Sequence, residues 1–138
     1  MSDPNAPLIL YVEDDAPVLE LGVTALEEGG FQVKAVQSGP DAIAALENPD
    51  AVIRALVTDI DLPGGISGWD IGRRARELFP ELPVIYVSGG SSHEWASRGV
   101  PGSVMLTKPF ALAQLVTAVS SATLGPQGDG VSDSCPRG

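Results

Sequence analysis

Cysteine is nearly absent: Cys135 is the only one in 138 residues, so no disulfide can form within the chain. A reducing compartment is the simplest fit. The chain also has one histidine, and no Cys-His set stands at zinc-ligand spacing. Basic residues are few, 8 against 18 acidic ones, which gives a net charge of −10. They are not clustered, and neutralising a nucleic-acid backbone needs clustered Lys and Arg, so direct nucleic-acid binding is not expected. No apolar run approaches the roughly 18 residues of a membrane-spanning helix. The opening Met-Ser-Asp-Pro-Asn lacks the basic segment and apolar run of a secretory signal. The expectation is a cytoplasmic protein with no membrane partner.

What remains is a composition able to build a core. Apolar residues are 43% of the chain and charged residues 19%, in the range of soluble globular domains. The length suits one domain. Apolar runs that read as buried strands start near Leu8, Phe31, Ala55, Leu82 and Ser103, at intervals of 21 to 27 residues. That rhythm is close to a βαβ unit with compact connections.

Helical patterns fill the intervals. The first runs from Pro17 to Glu28, with Val18, Leu19, Val23 and Leu26 on one face, Asp15 as N-cap and Gly29-Gly30 at its end. A second follows Ser38-Gly39-Pro40 and stops at Asn48-Pro49, with Ile43 and Leu46 inward. A third, Trp69 to Phe79, turns Ile71, Ala75 and Leu78 inward and Arg73, Arg74 and Arg76 to solvent. The fourth, in the Ser91 to Arg98 stretch, is weakly signalled. The fifth, Ala111 to Leu124, is apolar at Leu112, Leu115, Val116 and Val119. Residues 1–7 read as an N-terminal extension, 8–124 as the folded domain, and 125–138, which lack apolar periodicity, as a disordered tail. Five strands alternating with helices imply a parallel sheet covered on both faces.

In such a sheet, ligands bind outside the carboxyl ends of the strands. The residues there are Glu13-Asp14-Asp15, Asp59-Ile60-Asp61, Ser88-Gly89-Gly90 and Thr107-Lys108-Pro109. If the first and third strands are neighbours, Glu13, Asp14 and Asp59 share a pocket. Two such charges ~4 Å apart repel by about 4 kcal/mol at an effective dielectric of about 20. A hard divalent cation neutralises them without protonation, and few carboxylates completed by water and phosphate oxygens favour Mg²⁺. Carboxylate nucleophile, metal, hydroxyl and ammonium together read as a phosphoryl-transfer site. Asp59 is the natural nucleophile, with Ser88 and Lys108 placed for phosphoryl oxygens.

These residues carry a resemblance. From about Leu8 to Leu124 the chain resembles the receiver domain of two-component response regulators. The matching features are Glu13-Asp14, Asp59 followed by Leu62-Pro63-Gly64, Ser88-Gly89, and Lys108-Pro109-Phe110. The resemblance implies a flavodoxin-like (βα)5 doubly wound five-stranded parallel sheet of order 2-1-3-4-5. It implies a signalling phosphoacceptor rather than an enzyme, with Asp59 taking a phosphoryl group from a sensor histidine kinase or histidine phosphotransfer protein in a phosphorelay. Glu13, Asp14, Asp59 and the backbone carbonyl of Asp61 would hold Mg²⁺, Ser88 and Lys108 would contact the phosphoryl group, and the Lys108-Pro109 bond would be cis. Met105, Pro109 and Phe110 fall in the switch region.

Two departures stand out. Met105 occupies the place of the family's usual switch aromatic, and Pro63-Gly64-Gly65-Ile66-Ser67-Gly68 is one residue longer than the common loop. Trp69 beside that loop is either core or an exposed partner contact. With no linker to an output domain in view, the expectation is a stand-alone receiver acting through protein contacts, with a homodimer through the helix 4, strand 5 and helix 5 face left open. Two alternatives remain. One is a haloacid-dehalogenase-like phosphatase, whose nucleophile motif Asp59-Ile60-Asp61 resembles but whose late acidic pair is missing. The other is a pseudo-receiver scaffold that is not phosphorylated.

Overall fold

The computed structural model describes residues 6–90 and 92–128. Its elements run β1 (Leu8–Val12), α1 (Ala16–Glu28), β2 (Gln32–Val36), α2 (Gly39–Glu47), β3 (Ile53–Asp59) and α3 (Gly68–Leu78). After these come β4 (Val84–Ser88), a 3₁₀ turn (Ser92–Glu94), α4 (Trp95–Arg98), β5 (Val104–Thr107) and α5 (Leu112–Gly128). The five strands form one parallel sheet in the order β2-β1-β3-β4-β5. No described helix is long and apolar enough to cross a membrane.

Alternation along the strands builds two cores from one sheet. Leu10, Val12, Leu56, Val84 and Tyr86 face α2 and α3, where they meet Ala42, Leu46, Ile71 and Ala75. Ile9, Tyr11, Ala55, Val57, Ile85 and Val87 face α1 and α5, against Leu19, Leu26, Leu115 and Val119. Both faces are therefore dry, which is why the strands read as unbroken apolar runs rather than as alternating ones. Trp69 is core: it is 1% exposed and packs on Tyr86 with ring centroids 4.8 Å apart.

Helix starts follow local chemistry. The Asp15 carboxylate accepts from the Val18 N–H at 3.2 Å, and the Ser38 hydroxyl accepts from the Asp41 N–H at 3.2 Å. Ser67 and Asp70 form a reciprocal capping box at α3, each side chain accepting from the other's backbone N–H.

Several boundaries differ from the sequence reading. β3 begins at Ile53, earlier than Ala55, because exposed Arg54 interrupts the apolar run while Ile53 already packs in the core. β4 begins at Val84, after Pro83, and Phe31 lies buried just ahead of β2. The fourth helix is only four residues after a 3₁₀ turn, with no side-chain cap bond and no buried residue, while Ser91 lies outside the described residues. α5 extends to Gly128, four residues into the expected tail; residues 129–138, including Cys135, lie outside the described residues, as do 1–5. Arg76 is not merely a solvated cation. Its guanidinium donates to the carbonyls of Leu82 and Pro101, at 2.7 and 2.6 Å, and so ties the α3–β4 connection to the α4–β5 loop. Leu112, one of the apolar positions of the fifth helical pattern, is 38% exposed, because it stands at the first turn of α5, beyond the edge of the packed stripe.

Candidate functional site

The site lies where the parallel strands end. β1 delivers Glu13 and Asp14 directly after Val12, and β3 ends on Asp59 in the adjacent strand, with Val12 paired to Thr58. Next to β3, β4 ends on Ser88, and β5 follows it with Lys108 one residue beyond Thr107. Glu13, Asp59 and Ser88 are buried, while Asp14 is exposed at the rim.

One oxygen each from Glu13, Asp14 and Asp59 lie within 4.8 Å of one another. The Lys108 ammonium sits between two of these acids, 3.1 Å from Glu13 Oε1 and 3.1 Å from Asp59 Oδ2. Backbone donors complete the pocket: the Asp61 N–H donates to Asp59 Oδ1 at 3.2 Å and the Asp15 N–H to Glu13 Oε2 at 3.1 Å. The Ser88 hydroxyl accepts from the Gly90 N–H at 3.1 Å, and the Ser88 carbonyl accepts from the Lys108 N–H at 2.8 Å, which locks the ends of β4 and β5 together. The Lys108-Pro109 peptide is cis.

Burial, reinforced by the charge of Asp59, pushes the Glu13 carboxyl above its ordinary value, against the opposing pull of the Asp15 N–H and Lys108. Burial also works against the Lys108 ammonium, but its hydrogen bonds to Asp59 and Glu13 outweigh this and raise it. Three carboxylates against one ammonium leave two negative charges uncompensated. That deficit fits one hard divalent cation with oxygen ligands.

A protein-family model, the response regulator receiver domain, matches residues 9–120. The chain belongs to the response regulator receiver domain family. A receiver domain takes up a phosphoryl group as a signal, and it is not an enzyme in the usual sense. A curated relative, the response regulator receiver protein CpdR of Brucella abortus, is 31% identical over 113 residues, which cover 80% of this chain and 92% of CpdR. Other relatives are longer, and the chain spans 12%, 45% and 25% of three of them. Among solved structures, a response regulator receiver protein from Sinorhizobium medicae WSM419 is 44% identical with a TM-score of 0.83, covering 88% of this chain and 97% of that one. The receiver domain of sensor histidine kinase PA1611 from Pseudomonas aeruginosa PAO1 shares the fold at 22% identity and a TM-score of 0.73, covering 87% and 98%. That structure holds a magnesium ion coordinated in its active site cleft.

The receiver fold brings Glu13, Asp14, Asp59 and Lys108 together and sets Ser88 at the neighbouring strand end. Asp61 contributes its N–H to Asp59, with an exposed side chain. Met105 pairs in register with Tyr86 and packs half-buried on the α2–α3 side of the sheet, and Phe110 packs on the α1–α5 side. No acidic residue follows Lys108 as far as Gly128, so the late pair of a dehalogenase-like phosphatase has no counterpart among the described residues. The roles of two residues escaped the sequence reading. Tyr11 lies buried two positions before Glu13, its phenol pushed up to about 12 by burial and by the Glu13 charge. Gly68 lies where a Cβ would fall 2.3 Å from the Asp59 carbonyl oxygen, so α3 starts flush against the backbone of the acidic residue. Its position at the opening of α3 was the only signal available.

Proposed function

We propose that Asp59 is the phosphoacceptor of this receiver domain, taking its phosphoryl group from the phosphohistidine of a sensor histidine kinase or histidine phosphotransfer protein. The observation that carries this reading is the convergence of Glu13, Asp14 and Asp59 oxygens within 4.8 Å, with Lys108 bridging two of them. A carboxylate oxygen of Asp59 attacks phosphorus, an acyl-phosphate O–P bond forms, and the donor's N–P bond breaks. The bonding pair leaves on the imidazole nitrogen, and a proton already carried on the ring's other nitrogen makes the departing imidazole neutral. Glu13, Asp14, Asp59 and the Asp61 carbonyl would hold Mg²⁺, which would supply charge neutralisation for the transferring group. The magnesium seen in the PA1611 receiver domain supports the choice of metal.

Lys108 is held at the rim by its two carboxylates, and it would exchange part of that contact for a phosphoryl oxygen. The Ser88 hydroxyl donates to another. The donor has a surface to meet nearby: a groove of about 500 Å³ between α1 and the start of α5, floored by Tyr11 and Phe110 and flanked by Lys108. Leu21, 58% exposed, and Leu112 line its open side. Apolar side chains left in water beside a reaction centre suit a helical partner that presents its histidine there.

Transfer of label from a phosphorylated histidine phosphotransfer protein tests the reading. Label should appear on this chain in Mg²⁺ and be lost with Asp59→Asn. Label retained by Asp59→Asn would refute it.

A further inference from the structure

The loop that follows Asp59 is held in an unusual way. Residues 61–67 close between Ile60 and Gly68, whose N–H donates to the Ile60 carbonyl at 2.9 Å. At the apex, Gly64 and Gly65 take φ of 91° and 90°, with nothing within 4 Å of where their Cβ atoms would be. This conformation is open to glycine and strained for other residues. Two adjacent glycines of this kind, in open space, give the second half of the loop no hold of its own, while Leu62 packs half-buried against the core on the Asp61 side. Ile66 supplies another anchor.

Ile66 is half-buried and packs against α2. A Cβ on Gly39, the first residue of α2, would fall 2.5 Å from Ile66 Cβ and 2.6 Å from Ile66 Cγ2. Gly39 does not have a positive φ, so its backbone conformation does not require glycine; the space taken by Ile66 does. The same loop starts with Asp61, whose N–H is fixed to Asp59.

We infer that the Ile66–Gly39 contact positions the β3–α3 loop, and with it the Asp61 carbonyl, for metal binding. The inference rests on the proposed Mg²⁺ site. Ile66 touches no ligand and acts as a positioning residue. A loop braced on α2 presents its carbonyl without having to be ordered as the cation arrives. Outer contacts of this kind typically change metal affinity by about tenfold or more when removed.

Calorimetric titration of the unphosphorylated protein with Mg²⁺ tests it, with a melting curve taken for each variant. Ile66→Ala should weaken Mg²⁺ binding roughly tenfold. Its acetyl-phosphate labelling should slow at low Mg²⁺ and recover at saturating Mg²⁺. Ile66→Val, which keeps the branched contact, should bind as the wild type does. Gly39→Ala should weaken binding, because its methyl would press on Ile66 Cβ and Cγ2 and displace the loop. If Gly39→Ala does not fold, the two Ile66 variants carry the test. Unchanged Mg²⁺ affinity in Ile66→Ala would overturn the inference while leaving the metal site standing. Failure of the wild type to bind Mg²⁺ would overturn both.

Discussion

Replacing Lys108 with methionine keeps most of the side-chain volume and removes the charge that bridges Glu13 and Asp59 at 3.1 Å each. Removing one partner of a buried ion pair costs about 3–5 kcal/mol, because the other charge is left without compensation. Lys108 is 30% exposed, so the lower end applies, about 3 kcal/mol. For a domain of this size that corresponds to a fall in Tm of roughly 10 °C without divalent cation. The same removal improves the pocket for a cation. The ammonium's repulsion of a divalent ion, several kcal/mol at an effective dielectric of about 20, disappears, and all the carboxylate charge remains. Thermal unfolding by circular dichroism, with and without Mg²⁺, should therefore show a larger Mg²⁺-induced rise in Tm for Lys108→Met than for the wild type. At a Mg²⁺ concentration 100 times the wild-type Kd the wild type gains about 2.7 kcal/mol, and Lys108→Met, binding the ion roughly tenfold or more tightly, gains about 1.4 kcal/mol or more beyond that, so the gap between the two proteins should close by about half. A gap as wide in Mg²⁺ as in its absence would refute the claim that cation and ammonium neutralise the same carboxylates.

Other perturbations test the frame around the site. Gly68→Ala places a methyl 2.3 Å from the Asp59 carbonyl oxygen, a backbone atom that cannot swing aside, and should cost about 3 kcal/mol in urea unfolding. Gly89→Ala is its control, since the nearest atom to its Cβ is Lys108 Cβ at 4.0 Å, and it should fold with unchanged midpoint. Trp69→Ala empties a fully enclosed site against Tyr86 and should cost about 3–5 kcal/mol by the same assay. Tyr11 gives a pH signature. Its phenol ionises near 10.0 when free and near 12 when folded, so the folded state favours the neutral form. That preference is fully present below pH 10.0 and is lost as pH rises through about 12. The urea midpoint should fall across that window in the wild type and fall less in Tyr11→Phe; equal falls would count against a buried phenol.

The sequence made the sheet legible because both of its faces are dry, so each strand is a short apolar run and each connection carries a helical stripe. The site was legible for the same reason: strand ends place Glu13, Asp59, Ser88 and Lys108 side by side whatever the loops do. What stayed hidden depends on contacts between distant segments. Arg76 read as a surface cation because the carbonyls of Leu82 and Pro101 that receive it are set by folding. Trp69 could not be assigned until α3 was laid against β4. Leu112 fits the apolar stripe of α5 by period but stands past the edge of the core. The loop glycines were visible as turn residues, but the seat that Gly39 provides for Ile66 joins residues far apart in the chain.

The central claim is that Asp59, gathered with Glu13 and Asp14 around a divalent cation, is the residue that carries the phosphoryl group. Intact-mass measurement after incubation with acetyl phosphate, followed by peptide mapping, tests it most directly. One phosphoryl adduct should form in Mg²⁺, map to Asp59, and vanish both in a chelator and in Asp59→Asn. An adduct that forms equally well without divalent cation, or that maps to another residue, would contradict the account.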